Sequence, residues 1–464
     1  MSLEGPPPVS TNPFVRIAQD VREMRRYTPL LPPGELGFSP RRTSRMLRDP
    51  LNLLLELYER HGPVFSVRVL HQPLVFVLGP QANHHLLVSN AKNFTWREGG
   101  FGELIPLLGD GLLTIDGPFH RHQRKVMLPA FHHERIAALH GVMHEETDRA
   151  MQELRPGRAV DLYRWTRELA LRIAMRALFG LDPDQVRGRV DAATEFERAL
   201  SFYSKDYVLQ VLRGPGTPWS RMHDARRKLD AIIFGEIRRR RQRGERGQDV
   251  LSLLLDAHDE QGRGLTDKHL RDEVMTLLFA GHDTTTSTVA FLFYELARQP
   301  GLVERADWDL ELALDETLRM YPPAWIGPRY AQDDFEVCGV EVPRGTGVNY
   351  SSWVSHRLPD VWDRPHEFRP ERFAPGNRER IPKGAYVPFG GGSRTCIGMR
   401  FGQAEIRVIA SKLLERFRLD LAPGYRLRIR QTPTIGPRDG MPMVVREAPK
   451  PARTTPAPEP AIAA

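Results

Sequence analysis

The feature that most constrains this chain is a glycine-rich loop that carries one cysteine to the start of a helix. Residues 389–398 read Phe-Gly-Gly-Gly-Ser-Arg-Thr-Cys-Ile-Gly, and the apolar spacing of residues 399–417 predicts a helix directly afterwards. Free N–H groups at a helix N-terminus favour a charged thiol, so we expect a lowered pKa for Cys396. The three glycines permit positive φ angles and let the backbone approach a flat cofactor without Cβ clashes. The loop therefore predicts that Cys396 binds a haem iron as a thiolate.

The fixed positions of this loop match a known signature. The pattern Phe-x-x-Gly-x-Arg-x-Cys-x-Gly resembles the haem-binding signature of the cytochrome P-450 monooxygenases, and it is filled here by Phe389, Gly392, Arg394, Cys396 and Gly398. The resemblance implies that Cys396 is the proximal ligand of a haem b (iron protoporphyrin IX), that Arg394 pairs with a propionate and that Phe389 shields the sulfur. It also implies close approach of Gly392 and Gly398 to the ring. From the residues alone, an inert buried cysteine and a phosphate loop stay open, although the Gly-Lys-Ser/Thr of a phosphate loop is missing.

A second constraint is a long helix with an unusual centre. Thr266 and Asp267 are suited to cap a helix of about 30 residues that ends near Gln299 and, at 1.5 Å per residue, spans roughly 45 Å. Its middle, residues 280–285, reads Ala-Gly-His-Asp-Thr-Thr. A glycine and a threonine hydroxyl both weaken the backbone hydrogen bonds of a helix, so we expect a groove there that holds dioxygen.

The same six residues resemble the acid–alcohol motif of the cytochrome P-450 family. The resemblance implies that Asp283 supports proton delivery to bound dioxygen and that Thr284 stabilises the reduced oxygen. Ala280 and Gly281 are then expected against the haem. The alternative from the residues alone is a polar helix face that tolerates a glycine.

Several charged residues are suited to the haem carboxylates and to the scaffold below the ring. His120 and Arg124 lie four apart at the start of a predicted helix, share one face and are suited to hold one propionate. The resemblance assigns the second propionate to Arg329. It also implies a structural triad of Glu316, Arg319 and Arg372. Taken alone, the first two of these are a common surface ion pair worth under about 1 kcal/mol.

The walls of the substrate pocket are expected on loops and on a helical lid. Residues 94–113 are apolar but interrupted by glycines, which suits an adaptable pocket wall, with a packed surface loop as the alternative. The residue pattern predicts a hairpin of strands 64–70 and 74–78, which the resemblance places at the edge of the substrate cavity. Two helices joined by a break at residues 213–219 are expected to form the lid. The lid residues expected to face the ligand are Phe196, Phe202, Tyr203, Val208 and Leu209. The expected pocket residues are Phe101, Leu104, Leu108, Phe202, Ala280, Ala324, Trp325, Ile326 and Ile435, the last on a hairpin tip.

These elements predict a mainly α-helical fold with small β-sheets, in which a single domain surrounds a buried haem. The resemblance places the catalytic domain at residues 31–446. Residues 1–30 are expected to be a disordered N-terminus with a short amphipathic segment, and the Pro/Ala-rich residues 447–464 a disordered tail. No apolar run approaches the roughly 18 residues of a membrane span. Peripheral membrane contact through the amphipathic segment 14–27 stays open.

Composition bears on compartment and partners. The chain has 464 residues and two cysteines, Cys338 and Cys396, with nothing to pair them, which fits a reducing compartment and a soluble, cytoplasmic enzyme that we expect to be monomeric. Its net charge of +8 favours an acidic partner rather than nucleic acid, because the end of a solvated helix explains the basic run 238–243. His132 and His133, without an acidic partner at metal-ligand spacing, are interpreted as surface or capping residues.

Together the motifs predict a haem-thiolate monooxygenase that uses dioxygen to hydroxylate or epoxidise an apolar substrate such as a fatty acid, terpenoid, carotenoid or steroid-like molecule. Two cysteines cannot hold an iron–sulfur cluster and no flavin module is attached, so electrons must come from a separate ferredoxin or flavodoxin, whose reductase draws them from NAD(P)H. We expect this partner to dock near Lys125 and Arg400. The alternatives are a haem-thiolate peroxygenase or isomerase on the same fold, and a non-catalytic haem sensor or carrier.

Overall fold

The computed structural model describes residues 6, 10–27, 30–181, 192–205 and 207–449, and α-helices dominate it. The helices are α1 (Pro13–Tyr27), α2 (Pro40–Arg48), α3 (Pro50–His61), α4 (Pro80–His84), α5 (Ile105–Leu108), α6 (Gly117–Met127), α7 (His133–Met151), α8 (Leu162–Phe179), α9 (Ala192–Leu200), α10 (Tyr207–Val211), α11 (Pro218–Arg243), α12 (Val250–Asp256), α13 (Asp267–Arg298), α14 (Leu310–Met320), α15 (Ser352–Ser355) and α16 (Met399–Arg416). A π-helical turn at His85–Ser89 follows α4. The predicted fold class is confirmed.

Small sheets lie beside the helices. The strands are β1 (Gly34–Glu35), β2 (Val64–Val69), β3 (Gln72–Val77), β4 (Phe94–Thr95), β5 (Ala159–Asp161), β6 (Gly327–Ala331), β7 (Phe335–Val337), β8 (Val340–Val342), β9 (Gly347–Tyr350), β10 (Phe417–Leu421), β11 (Ile429–Arg430), β12 (Gly436–Pro437) and β13 (Pro442–Glu447). They form sheets in the orders β1-β2-β3-β9-β6-β4 and β10-β13-β5, and two hairpins, β7-β8 and β11-β12. The predicted β2-β3 hairpin is confirmed, with Val64 opposite Val77 and Val69 opposite Gln72. Its turn is therefore Leu70 and His71.

The central element is helix α13. The Thr266 hydroxyl accepts a hydrogen bond from the backbone N–H of His269 at 3.2 Å, and the helix then runs for 32 residues without a break. It packs against α8, α11, α14 and α16, so most of its length is buried, polar residues included. The predicted helix and its cap are confirmed. Because it carries acids and a histidine into the interior, those side chains need partners from other elements.

The predicted lid region is correct in outline and wrong in part. Helix α10 ends at Val211 and α11 begins at Pro218, so the predicted break is confirmed. The lid residues Phe196, Phe202 and Tyr203 are buried. Val208 and Leu209 do not face the interior: their exposed fractions are 72% and 40%, because the short helix α10 buries none of its residues.

The amphipathic segment near the N-terminus forms helix α1 and lies on the β2-β3 hairpin. The carboxylate of Asp20 is 3.0 Å from His71 Nε2 and accepts a hydrogen bond from Gln72 Nε2 at 2.8 Å. Phe14 and Val15 point outward. Among the described helices, none combines the length and apolar character needed to cross a membrane. Residues 1–5, 7–9 and 450–464, which hold most of the two predicted disordered ends, lie outside the described residues.

Candidate active site

The cysteine loop is shaped by glycines that pack against the protein itself. Gly390 and Gly392 have φ angles of 71° and 60°, and the backbone N–H of Cys396 donates to Phe389 O at 3.0 Å, which closes the loop. A Cβ added at Gly392 would lie 2.2 Å from the carbonyl oxygen of Leu87 in the π-helical turn. Glycine at this position is therefore required by backbone contact as well as by φ. The sequence pattern did not reveal this reason.

The Cys396 thiol lies in a recess of the protein. The side chain is solvent-accessible, yet enough protein surrounds it that burial raises its pKa. A hydrogen bond from the backbone N–H of Gly398 and the nearby charge of Arg124 act in the opposite direction. The expected lowering of the thiol pKa is therefore wrong for the protein without a metal, because burial outweighs the helix N-terminus.

Beside the cysteine lies a cluster of three arginines, of which Arg329 is buried and Arg124 and Arg394 are half-buried. Arg124 donates to the Thr395 carbonyl at 2.6 Å, and the guanidinium of Arg329 lies 4.0 Å from the centre of the Trp96 ring. Burial lowers the pKa of both arginines, and it lowers that of Arg394 to about 10. Within the described part of the chain, one carboxylate, that of Asp116, lies within ion-pair distance of any of the three, at 2.5 Å from Arg394. Three arginines that share one acid attract further anionic groups.

His120 completes this cationic cluster. It shares helix α6 with Arg124, as predicted, and it is buried. Burial, together with the charges of Arg394 and Arg124, lowers its pKa to about 3. The imidazole is therefore neutral at physiological pH and able to donate a single hydrogen bond to an anion.

The middle of α13 carries the residues that the sequence predicts on the dioxygen side of the site. The hydroxyl of Thr284 donates to the carbonyls of Ala280 at 2.8 Å and Gly281 at 3.4 Å, so it does compete for the backbone as predicted. A Cβ added at Gly281 would meet nothing within 4 Å outside its own helix, which leaves that face open. Asp283 is 2% exposed, and neither of its oxygens has a hydrogen-bond partner.

These groups fit a haem. Cys396 supplies the soft sulfur ligand that haem iron accepts, and the cationic cluster supplies donors for two carboxylates. Gly281 on α13 and Gly398 before α16 are both open on the side where a Cβ would stand. A flat ring that approached either glycine would meet no other residue within 4 Å of the position where a Cβ would stand.

The residues predicted for the pocket lie on several separate elements of the fold. Phe101 stacks on Trp96 with ring centres 4.7 Å apart, Leu104 is half-buried, and Leu108 is fully buried in the core. Phe202 is buried in the lid, where its ring meets that of Trp219.

Ile435, another residue predicted for the pocket, lies at the tip of the β11-β12 hairpin. The backbone N–H of Ile435 donates to Pro323 O at 3.2 Å, and its carbonyl accepts from Ser287 of α13 at 2.6 Å. Trp325 donates to the Gln431 carbonyl at 2.9 Å. The predicted hairpin tip is confirmed, and it joins α13 to the segment that contains Ala324, Trp325 and Ile326.

The backbone of the predicted pocket loop, residues 94–113, and of Ile115 just after it is held by arginine side chains of other elements. Arg271 of α13 donates to the carbonyls of Leu107 and Leu108 at 3.1 Å each. Arg394 donates to the carbonyls of Leu112 at 3.2 Å and Ile115 at 2.8 Å. The loop is therefore tied both to the central helix and to the cysteine loop.

Glu273 of α13, which the sequence did not predict as a site residue, also holds the backbone of the pocket loop. Its carboxyl accepts from the Leu112 N–H at 3.2 Å, and its other oxygen is buried without a partner. Burial raises its pKa to about 8. The sequence held a signal for Glu273, because an acid in a helix that is otherwise buried indicates a specific partner. Asp116, which accepts from the N–H groups of Trp96 and Arg97, had no comparable signal in the sequence.

The expected structural triad is assembled. Glu316 and Arg319 are fully buried and joined by two hydrogen bonds of 2.7 and 2.9 Å, so this is no surface pair. Arg372 Nε lies 3.3 Å from the same carboxylate. The sequence could not show the burial, because it arises from the segment 356–372 that folds over α14.

The expectation that His132 and His133 have no acidic partner at metal-ligand spacing is wrong. Potential ligand atoms of these two histidines and of Glu134 all lie within 4.8 Å of one another, so an acidic partner is present. All three side chains are exposed. His132 occupies the cap position of α7 but makes no side-chain capping hydrogen bond.

Known proteins are similar to this chain in sequence and in fold. A family model described as Cytochrome P-450 matches residues 42–311 and 309–437. The chain is 33% identical over 410 residues to the cyclooctat-9-en-7-ol 5-monooxygenase of Streptomyces melanosporofaciens, which covers 83% of this chain and 88% of that protein. It is 31% identical over 424 residues to cyclooctatin synthase of the same organism, with 84% and 91% covered. A solved cyanobacterial cytochrome P-450 with retinoic acid bound has a TM-score of 0.79 and 26% identity, with 90% of this chain and 99% of that chain covered.

The fold and the cysteine site thus define a haem oxidoreductase. The chain belongs to the cytochrome P-450 family. It is a monooxygenase of the class that acts on paired donors and incorporates molecular oxygen, with haem as its cofactor and dioxygen as cosubstrate.

Proposed function

We propose that this enzyme hydroxylates or epoxidises a terpenoid-type molecule, with electrons from a separate ferredoxin or flavodoxin. The observation that carries the proposal is the solvent-accessible Cys396 thiol beside one buried and two half-buried arginines. A sulfur ligand beside a set of hydrogen-bond donors for carboxylates supports a haem-thiolate centre. Bound haem supplies the binding and reductive cleavage of dioxygen.

Each residue of the cavity has a proposed part in holding the haem. Cys396 ligates the iron, with Phe389 at the sulfur and Gly392 and Gly398 shaping the loop. The propionates are bound by His120, Arg124, Arg329 and Arg394. On the other face, Ala280 and Gly281 allow close approach, Thr284 positions a proton donor with its hydroxyl, and Asp283 supplies protons. Glu316, Arg319 and Arg372 hold the scaffold.

The substrate class rests on relatives and on the pocket walls. Two relatives are named for cyclooctat-9-en-7-ol and cyclooctatin, and a solved structure holds retinoic acid. The first and last of these names describe largely apolar molecules with few polar groups. The pocket residues are Phe101, Leu104, Leu108, Phe202, Ala280, Ala324, Trp325, Ile326 and Ile435, and none carries a charge. An apolar pocket of this kind suits a terpenoid better than a polar metabolite.

Two measurements on the purified protein test the centre and the substrate class. The reduced carbonyl complex should show the strongly red-shifted band of thiolate ligation, and Cys396→Ser should lose it. Cys338→Ser is the matched control, because Cys338 lies in the turn between β7 and β8, and it should keep the band. Titration with terpenoids, fatty acids and steroids should give a low-to-high-spin shift with terpenoids. A histidine-type carbonyl band, or a spin shift only with another class, would refute the respective part.

The electron donor is tested through the exposed cations on the cysteine side. Lys125 has a 71% exposed side chain beside Glu260, and Arg400 is exposed at the start of α16. Electron transfer from an acidic ferredoxin should slow at high salt and after Lys125→Glu or Arg400→Glu. The control is Arg428→Glu on the β11-β12 side, also an exposed arginine in an ion pair. Turnover with peroxide that exceeds turnover with reductant and dioxygen, and that persists in Thr284→Ala, would favour the peroxygenase instead.

A further inference from the structure

The acid at the centre of α13 has an unusual neighbour. Asp283 is 2% exposed and His282 is 0% exposed. His282 Nδ1 lies 3.6 Å from Asp283 Oδ1. Neither this nitrogen nor either Asp283 oxygen has a hydrogen-bond partner, although all three atoms are buried. An orphaned nitrogen and an orphaned oxygen at this distance need only a small rotation to form a hydrogen bond.

The other nitrogen of His282 leads toward the surface. His282 Nε2 lies 3.0 Å from Glu197 Oε1, on helix α9 of the lid. The Glu197 side chain is 36% exposed, so it exchanges protons with water directly. The Phe196 ring meets the imidazole edge-on at 5.8 Å and helps to fix its plane. His282 is therefore a single side chain between a solvated carboxylate and a buried one.

The remaining charged and titratable groups around His282 do not carry protons between the two acids. Arg167 of α8 lies 2.8 Å from Glu197 and 3.4 Å from Asp283, and the charges of these acids raise its pKa despite its burial. A guanidinium does not give up its proton. Burial raises the pKa of Tyr163 to about 12, and its hydroxyl accepts a hydrogen bond from Arg430 at 2.9 Å. Both phenol and guanidinium keep their protons at neutral pH.

Both neutral tautomers of His282 have a partner in this arrangement. With the proton on Nε2, the ring donates to Glu197 at 3.0 Å. With the proton on Nδ1, the ring faces Asp283, and Nε2 accepts from Arg167 Nε at 3.4 Å. Histidine is the side chain best suited to take up and release protons near neutral pH. The surroundings thus stabilise the ring before and after a proton has passed.

We propose that His282 shuttles protons from Glu197 to Asp283 and so resupplies the acid of the active site; this rests on the proposed monooxygenase function. A proton passes from the Glu197 carboxyl to Nε2 while the Nδ1 proton passes to an Asp283 oxygen. One N–H and one O–H bond form, and one of each breaks. Glu197 recovers its proton from water. The ring returns to the starting tautomer when Nε2 loses one proton and Nδ1 gains one, with water as acceptor and donor.

A tautomer measurement tests the connection without turnover. In the diamagnetic reduced carbonyl complex, ¹⁵N-labelled histidine reports which ring nitrogen carries the proton, and His282→Gln identifies the signal of this residue. Glu197→Ala should shift the population toward the Nδ1–H tautomer, because Nε2 loses its acceptor. The matched control is Glu168→Ala, an exposed acid paired with Arg164 on α8. An unchanged tautomer ratio in Glu197→Ala would overturn the proposal.

A turnover measurement tests the shuttle itself. Glu197→Gln and His282→Gln should release more peroxide per electron pair and form product about 100-fold more slowly, the low end of what a positioned proton donor contributes. The deuterium solvent isotope effect on decay of the dioxygen complex should also change. A merely structural role of His282 would leave that isotope effect at the wild-type value, and Glu168→Gln should do so. If both variants keep wild-type coupling and isotope effect, the shuttle is refuted while the proposed function stands. A missing thiolate carbonyl band in the wild type would instead refute the proposed function.

Discussion

Neutralising Glu316 should destabilise the whole protein, because its carboxylate joins several buried groups. Glu316 and Arg319 are both fully buried. The carboxylate accepts from Arg319 at 2.7 and 2.9 Å, from the N–H of Arg369 at 2.8 Å and from Arg372 at 3.3 Å. Glu316→Gln keeps the volume but leaves the Arg319 charge buried without a counter-charge. Breaking such a pair lowers the free energy of unfolding by about 3–5 kcal/mol.

The measurement is urea unfolding of the haem-loaded protein, followed by far-ultraviolet circular dichroism at fixed excess haem. Asp307→Asn is the control, because its pair with Arg305 is exposed, and the midpoint of urea unfolding should stay close to the wild-type value. The double variant Glu316→Leu, Arg319→Met removes both charges and should recover much of the loss. A loss under about 1 kcal/mol in Glu316→Gln would refute the reasoning, since a screened surface pair behaves that way.

Two further predictions concern the cysteine loop and the pocket loop. Gly392→Ala forces a side chain into a φ of 60° and places its Cβ 2.2 Å from Leu87 O, so haem occupancy and thermal stability should fall. The control is Gly402→Ala in α16, where a Cβ meets nothing within 4 Å, and this change should lower neither quantity. Because burial raises the pKa of Glu273 from 4.5 to about 8, the unfolded chain loses this proton first, and stability falls as pH rises from about 4.5 to 8. Glu273→Gln should be about 3–5 kcal/mol more stable than wild type at pH 8, a gain that vanishes below about pH 4.5.

Clear outcomes would contradict these two. Equal haem occupancy in Gly392→Ala and Gly402→Ala would mean that the turn adapts to a side chain at low cost. A Glu273→Gln variant with the same pH dependence of urea unfolding as wild type would mean that the carboxyl is ionised in the folded protein.

Local patterns were the part of the fold that the sequence predicted well. The cap at Thr266, the long helix after it and the β2-β3 hairpin follow from spacing and from side chains within a few residues, and all three are confirmed. Helix α10 shows the limit, because the apolar residues Val208 and Leu209 suggested an inward face while the structure exposes them. Whether a short apolar stretch is covered depends on elements elsewhere in the chain.

Properties that depend on tertiary contacts could not be predicted from the sequence. The pKa of Cys396 depends on how much protein surrounds it, and the helix N-terminus considered alone gave the wrong direction. Glu197 lies 85 residues before His282, and no spacing rule connects them. Asp116 likewise meets Arg394 only because two distant loops fold together.

The course of the arginine-held loop beside the pocket depends on residues far from it in the sequence. Arg271 and Arg394 fix the carbonyls of Leu107, Leu108, Leu112 and Ile115 from outside the loop. The path of the loop is thus encoded partly in α13 and in the cysteine loop. A change at Arg271 or Arg394 would therefore move a segment that lies more than a hundred residues away along the chain. A substitution of a half-buried loop residue such as Leu104 would leave these anchoring bonds in place.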